Sequence, residues 1–454
     1  MEAIRPSSSR HIAVIGAGPA GLVTFRELRR QKHTVVVFER SYSVGGMWVY
    51  SPETESDQLG TDPNRKIINS GLYESLRVNL PRECMGFSDY PFVGSETGGD
   101  ERRFPGHREV LDYLKRFAKD IGVHECMRFG TEVVSVEKDC DRKWVVRSTC
   151  ITAGETAEVF DAVVVCNGHC SQPLIARIPG IEDWPGKQMH SYNYRLPDNF
   201  TDQVIVLIGN SHSSWDISRE ISRVAKQVHV SSRSKNCLGY PRILDGYDNI
   251  WEHTMIKSAY KDGTIVFEDG KKVMADTIIH CTGYKYNFPF IKKEDIVTVD
   301  DNRVTPLYKH VFPPAMAPGL SFIGLPINTQ ISIFPLCELQ SKWVAAILSE
   351  RISLPQKEEM LEEVKSYIDK LDHFGVPKRH THNLLYQKYD KEEHEYVDWL
   401  AMKSGSETVE EWRKNMFIEA KKNRAKRPES FRDVWDDESL VEQAKKDFKR
   451  LLCL

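Results

Sequence analysis

The chain lacks the marks of several protein classes. Its ten cysteines include no CxxC pair, so a redox-active dithiol is not expected, and no metal site is expected either. Cys166 and Cys170 stand four apart and are read as reduced thiols. Neither charge sign dominates: 62 Lys and Arg face 65 Asp and Glu, a formal net charge of -3 that gives no reason to expect nucleic acid or an anionic membrane as partner. No stretch approaches the roughly 20 apolar residues that span a bilayer. The opening MEAIRPSSSR has no apolar core, so a secretory signal is not expected, and the location expected is cytoplasmic. There is no solenoid repeat and no low-complexity segment. What remains is ordinary globular composition over 454 residues, enough for about three domains, with the oligomeric state open between monomer and dimer.

Two stretches repeat one pattern: a buried strand, a turn rich in small residues, then a helix. The first is HIAVIGAGPAGLVTFRELRR, His11 to Arg30; the second is QVIVLIGNSHSSWDISREISRVA, Gln203 to Ala225. Each is followed by a short β-branched run, VVVFER at Val35 to Arg40 and QVHVSSRS at Gln227 to Ser234. A βαβ unit that occurs twice implies an α/β fold with two Rossmann-like dinucleotide-binding domains. From about Ser349 the pattern turns helical and charged, with apolar spacing of three and four in EEMLEEVKSYIDKL. The simplest architecture is nested: residues 1–170 and 283–454, with the C-terminal helices, interrupted by a second domain at 171–282.

Gly16-Ala17-Gly18-Pro19-Ala20-Gly21 follows a strand and opens a helix, matching G-x-G-x-x-G. The glycines allow a tight turn, backbone approach to a pyrophosphate and close helix packing, while the helix N-terminus supplies N–H groups for phosphate. Glu39, 18 residues after Gly21, is placed to bind a ribose hydroxyl. Just beyond it, Gly45-Gly46-Met47-Trp48 suits a flat ring system close to backbone. A simple dehydrogenase has no need of that second glycine pair, so FAD is expected here, with Gly46, Met47 and Trp48 among its contacts.

The second turn reads Gly209-Asn210-Ser211-His212-Ser213-Ser214, with serines where the second and third glycines would stand. Ser211 and Ser214 are small enough to let a phosphate approach, and Asn210 and Ser213 complete the candidate contacts. After the following strand stands Arg233, flanked by Ser231, Ser232, Ser234 and Lys235 with no acid near. A carboxylate there would repel a 2′-phosphate, whereas a guanidinium binds it with two N–H groups, so NADPH is expected rather than NADH.

Between these turns, Trp184-Pro185-Gly186-Lys187-Gln188-Met189-His190-Ser191-Tyr192-Asn193-Tyr194 resembles the signature FxGxxxHxxxY of the flavin-containing monooxygenases, with Trp184 in place of the usual aromatic. Tyr194 sets it apart from the related Baeyer–Villiger enzymes, which carry Trp at that position. The resemblance extends through Ser75 to Phe92, Phe104 to Leu114, His280 to Phe290, Pro306 to Pro314 and PKRHTH at Pro377 to His382, and it is to the plant S-oxygenating branch. It implies cofactor contacts at Val133, Thr282 and Gly283 and an asparagine beside the flavin at Asn79. It also implies an NADP contact at Tyr194 and, at Gln330, a segment that closes over the flavin ring. His212 and Trp215 depart from the small residues usual in the glucosinolate-oxidising members. Trp215 is expected to pack inward.

By this resemblance NADPH reduces the flavin, which adds O2 at C4a as a hydroperoxide and passes one oxygen to a small thioether, an S-alk(en)yl cysteine derivative or a methylthioalkyl glucosinolate. The cofactor does the hard chemistry, and no acid–base triad is visible. Two other readings stay open: an N-oxygenating or indole-pyruvate-converting relative, and a non-catalytic NADPH-binding flavoprotein sensor. Arg233→Ala is expected to raise the Michaelis constant for NADPH far more than that for NADH. Steady-state kinetics with both nucleotides check this, and equal effects would remove the role assigned to Arg233.

Overall fold

Unbroken apolar runs of four or five residues become the central strands, since a parallel sheet is covered on both faces. In the computed structural model, which describes residues 9–68, 70–94, 98–233, 239–291, 296–329, 331–384 and 392–452, the chain divides into two compact units. One comprises Met1–Val49, Arg77–Gly168 and Tyr286–Leu454; the other comprises Tyr50–Leu76 and His169–Lys285. Both are α/β units of Rossmann-like form.

In the first unit, β1 (His11–Ile15) lies between β2 (Thr34–Phe38) and the strand Ala162–Val165. Met127–Arg128 and Leu320–Phe322 add the outer strands, and every pairing is parallel. Helix α1 (Pro19–Arg30) packs on the helix Ile333–Leu348, where Thr24 Oγ1 meets Ser341 Oγ at 2.8 Å. Arg26 is buried in the same seam and donates to Glu27, Asp89 and Glu338 at 2.8, 2.6 and 2.8 Å. A buried cation held by three carboxylates fixes the axial position of α1, and with it the loop at its N-terminus. Strands Thr131–Lys138, Trp144–Cys150 and Gly154–Phe160 form an antiparallel sheet inserted before Ala162–Val165.

The second unit repeats this plan. Val204–Ile208 lies between Gln227–Ser231 and Thr277–His280, with Ile250–His253 and Lys187–His190 outside them, all parallel, and Arg242–Ile243 as an antiparallel edge. A three-stranded antiparallel sheet, Ile256–Ala259, Thr264–Phe267 and Lys272–Met274, again precedes the returning strand.

Sequence reading keeps residues 50–76 with the first domain, whereas Tyr50–Leu76 groups with the second unit. The reason is a buried guanidinium. Arg195 donates from Nε to Ser51 O, from Nη1 to Tyr192 O and Tyr194 O, and from Nη2 to Glu53 O and Ser70 O, at 2.7 to 2.9 Å. All five of its donors are thus satisfied by carbonyl dipoles, three of them in the 51–70 segment. Within that segment Glu55 accepts from Ile68 N–H at 3.0 Å and from Arg65 Nε at 2.6 Å.

The C-terminal part is helical, as its spacing predicts. Lys357–His373 buries Met360, Val364 and Leu371 and opens on a capping box between Gln356 and Glu359. Glu392–Ser404, Glu411–Lys426 and Glu438–Leu452 follow. Among the described residues no helix is long and apolar enough to cross a membrane.

Among the buried histidines that burial pushes down from the ordinary 6.5, His190, His280 and His382 fall to about 4 and His229 to about 3. Each is neutral in the folded chain, while the unfolded chain takes up the proton below pH 6.5. The stability from this source is complete above about 6.5 and is lost as pH falls toward 4, at about 1.4 kcal/mol per histidine one pH unit below 6.5. Urea midpoints at about pH 7.5 and 5.5 are expected to show a marked loss at the lower value. A flat profile would contradict the buried neutral assignment.

Candidate active site

The first loop is shaped by what a side chain would strike. A Cβ on Gly16 would stand 2.5 Å from Cys166 O, and one on Gly21 would stand 1.8 Å from Gly16 O, so both positions are glycine for the protein's own reasons. Gly18 differs. Its φ of -74 suits any residue, and an added Cβ would meet only Gly46 Cα at 3.5 Å, ordinary contact. Nothing in the protein's own packing requires a glycine there. With Gly18 at the N-cap and Pro19 at the first helical position, α1 begins without a side-chain cap, and Ala20 follows.

The other FAD candidates in this unit gather around the same loop. Glu39 ends β2 and is buried; Oε2 accepts from Ala17 N–H and Oε1 from Ser41 N–H, both at 2.8 Å. Two lone-pair positions of the carboxylate remain for ribose hydroxyls. Gly45 N–H donates to Ala17 O at 2.9 Å, and a Cβ on Gly46 would meet Gly18 Cα at 3.0 Å, so the second glycine pair lies on the first loop. Met47 is exposed, and Trp48 meets Phe334 edge-on at 6.4 Å. Val133 points its side chain into the core, which leaves only its backbone for a cofactor, at a point where the ladder shifts register between Val133 and Ser135.

Asn79 lies on a segment held from both sides. Val78 N–H donates to Pro105 O at 2.9 Å, and Arg432 donates from Nε to Val78 O at 3.1 Å and from Nη2 to Asn79 Oδ1 at 2.5 Å. The stretch before Gln330 is also pinned. Gly324 N–H donates to Gln340 Oε1 at 2.9 Å, Tyr286 Oη to Leu325 O at 2.6 Å, and Ile327 N–H to His382 O at 2.8 Å. Gln330 lies outside the described residues.

In the second unit the loop is built alike. Gly209 has φ +110, and a Cβ there would stand 2.4 Å from Cys281 O, the counterpart of Gly16 on Cys166 O. Asn210, Ser211, His212 and Ser213 are exposed, and the helix His212–Ile221 again begins without a side-chain cap. Ser214 is fully buried, so its small size serves packing rather than a phosphate. Arg233 is exposed just past Gln227–Ser231. Trp215 is half-buried with Arg219 Cζ 4.6 Å from its ring, a cation-capped aromatic rather than a core residue.

The signature residues work as struts. A Cβ on Gly186 would stand 2.1 Å from the Trp184 ring. His190 Nδ1 accepts from Tyr192 N–H at 3.1 Å, so Nε2 carries the proton and donates to Gly283 O at 2.9 Å. Tyr194 is fully buried and donates to Glu220 Oε2 at 2.9 Å, on the helix that follows the second loop. The structure gives Tyr194 no open face. Thr282 likewise commits its hydroxyl to Leu174 O.

The reading of Cys166 as a reduced thiol gains a physical basis. Burial pushes the Cys166 thiol up to about 12, consistent with an inert cysteine. The cations of PKRHTH are neutralised, Lys378 by Asp300 and Arg379 by Asp301, while His382 is buried. Arg195 and Arg432 escaped the sequence reading, for neither stands in a motif whose chemistry names it.

Both loops lie within the reach of a known family. The model of the flavin-binding monooxygenase-like family matches residues 9–249 and 240–401. The chain belongs to that family. Flavin-containing monooxygenase FMO GS-OX4 of Arabidopsis thaliana is 53% identical over 449 residues, covering 98% of this chain and 95% of its own. FMO GS-OX5 of the same plant is 54% identical over 447 residues, with the same coverage. The solved structure of S-allyl-L-cysteine S-oxygenase from Allium sativum is 55% identical, with a TM-score of 0.94 over 98% of this chain and 100% of that one. Tmm from Pelagibacter, at 23% identity and a TM-score of 0.77 over 93% of each chain, shares the fold. The cofactors of this monooxygenase are FAD and NADPH.

The unforced glycine makes a sharp test. Gly18→Ala is expected to leave the stability of the flavin-free monooxygenase unchanged or raised by up to about 1 kcal/mol, while the purified protein loses most of its FAD. Flavin content and calorimetry check it, and full FAD retention would remove the pyrophosphate role.

Proposed function

We propose that this chain S-oxygenates a small thioether: R–S–R′, O2, NADPH and a proton give the sulfoxide, water and NADP+. The observation that carries the reading is Gly18, a glycine the protein does not itself require, beside a buried acid in one loop, with a second loop of the same build followed by the exposed Arg233. Likeness over the full length to an S-allyl-L-cysteine S-oxygenase supports sulfur, rather than nitrogen or a ketone, as the acceptor.

In this reading the Gly16–Gly21 loop, Glu39, Gly46, Met47, Trp48 and the Val133 backbone hold FAD. Gly209, Asn210, Ser211, Ser213 and Arg233 hold NADPH. Tyr194 and Ser214 act indirectly, by fixing the helix after the second loop, and Thr282 and Gly283 anchor the segment that His190 grips. Bound FAD would supply the redox chemistry, accepting hydride from NADPH and transferring one atom of O2 to sulfur. The protein's share is binding, orientation and exclusion of water. His190 takes no part in proton transfer, since both nitrogens are committed and burial holds it neutral near 4.

Asn79 supplies the polar contact at the reacting centre through its amide N–H groups, because its oxygen is already engaged by Arg432. Asn79→Asp keeps an oxygen for Arg432 and removes those donors. With S-allyl-L-cysteine as probe, the wild-type chain is expected to form about one sulfoxide per NADPH, whereas Asn79→Asp oxidises NADPH and releases hydrogen peroxide instead. No sulfoxide from any member of a thioether panel would overturn the substrate class; unchanged coupling in Asn79→Asp would overturn the role of the amide.

A further inference from the structure

Arg432 stands some 350 residues from Asn79 in the chain and touches it directly. Its own placement is overdetermined. Its Cζ lies 4.7 Å from the Phe431 ring, which is buried and meets Phe104 edge-on. Arg77 grips the same backbone from Nη2, donating to Arg432 O at 3.3 Å, and forks onto Asp433 at 2.8 and 3.1 Å. Asn423 Nδ2 donates to Phe431 O and Val434 O at 3.2 and 2.7 Å, tying the segment to the helix Glu411–Lys426. The guanidinium is therefore delivered to a fixed position.

A guanidinium has donors only. The atom of Asn79 that faces it is therefore Oδ1, and the NH2 of the planar amide is turned the opposite way. Among the described residues Nδ2 has no protein partner. The fork that spans Val78 O and Asn79 Oδ1 locks backbone and side chain together, a geometry that the point charge of a lysine does not reproduce. A charge-assisted hydrogen bond favours this amide orientation over the flipped one by about tenfold or more.

We propose that Arg432 is a positioning residue for the oxygenation reaction, orienting the Asn79 amide so that its N–H groups, and not its oxygen, are offered to the reacting centre. The proposal rests on the reading of Asn79 given above. It brings the C-terminal helical region, which carries no cofactor motif, into the control of coupling between NADPH oxidation and sulfoxide formation.

The test is a double-mutant cycle on the full chain loaded with FAD, comparing wild type, Arg432→Ala, Asn79→Ala and the double variant, with Arg432→Lys beside them. Visible absorption and circular dichroism of the bound, resting flavin are read first; hydrogen peroxide released per NADPH in the presence of S-allyl-L-cysteine is read second. Arg432→Ala is expected to alter the flavin dichroism and raise peroxide several-fold, Asn79→Ala to do the same, and the double variant to be no worse than Asn79→Ala. Arg432→Lys is expected to fall between wild type and Arg432→Ala. Additive losses in the double variant would show that Arg432 acts only through the fold and would overturn the proposal. Wild-type coupling in Arg432→Ala with uncoupling in Asn79→Ala would overturn it while sparing Asn79; wild-type coupling in both would overturn the reading of Asn79 itself. Should Arg432→Ala fail to retain flavin, Arg432→Gln, which keeps a single NH2 group and loses the fork, takes its place in the cycle and is read the same way.

Discussion

A backbone carbonyl pressed against a glycine sets the geometry of both nucleotide loops. At Gly16 the neighbour is Cys166 O, at Gly209 it is Cys281 O, and in each case a methyl group would stand about 2.5 Å from the oxygen. Contacts that close do not occur between carbon and oxygen, so each loop turns where it does only because these positions carry hydrogen. The strands around them match as well: Gly16 N–H donates to Phe38 O and Gly209 N–H to Ser231 O, both at 2.8 Å. The two units thus solve one steric problem twice. They diverge at the end of the next strand, with a buried acid at Glu39 in one and an exposed cation at Arg233 in the other. In the proposed function these two groups separate the cofactors where geometry is shared.

The signature segment has a different task from the one its position implies. Gly186 yields to the Trp184 ring, His190 ties strand Lys187–His190 to Gly283, Tyr194 braces the helix after the second loop, and Arg195 gathers residues 51–70 beneath it. These are buried, neutral or carbonyl-solvated contacts, which rigidify without taking part in proton transfer. Through Tyr194 and Glu220 the segment braces the helix that follows the second loop.

Much of the fold is legible in the sequence. Two βαβ units announce themselves through local signals, apolar runs and small-residue turns, that a single sequence carries. The glycines, Glu39 and Arg233 follow from the same local logic, and the charged helices from their spacing. Other features depend on contacts between distant parts of the chain. Nothing near Arg432 names Asn79 as its partner, and nothing in residues 50–76 shows that Arg195 will claim their carbonyls. Tyr194 and Ser214 are expected at the cofactor from their register in the motifs, yet both are buried, since register does not reveal which side of a helix or turn faces outward. Trp215 is expected inside and is instead capped by Arg219 one turn on.

In the proposed function one chain binds a flavin in one unit and draws electrons from NADPH bound by the other. An anaerobic titration of the purified protein, followed by flavin absorbance, tests it most directly. One FAD per chain is expected, bleached fully by one equivalent of NADPH and far more slowly by NADH. A chain that retains no flavin, or whose flavin is reduced equally well by either nucleotide, would contradict it.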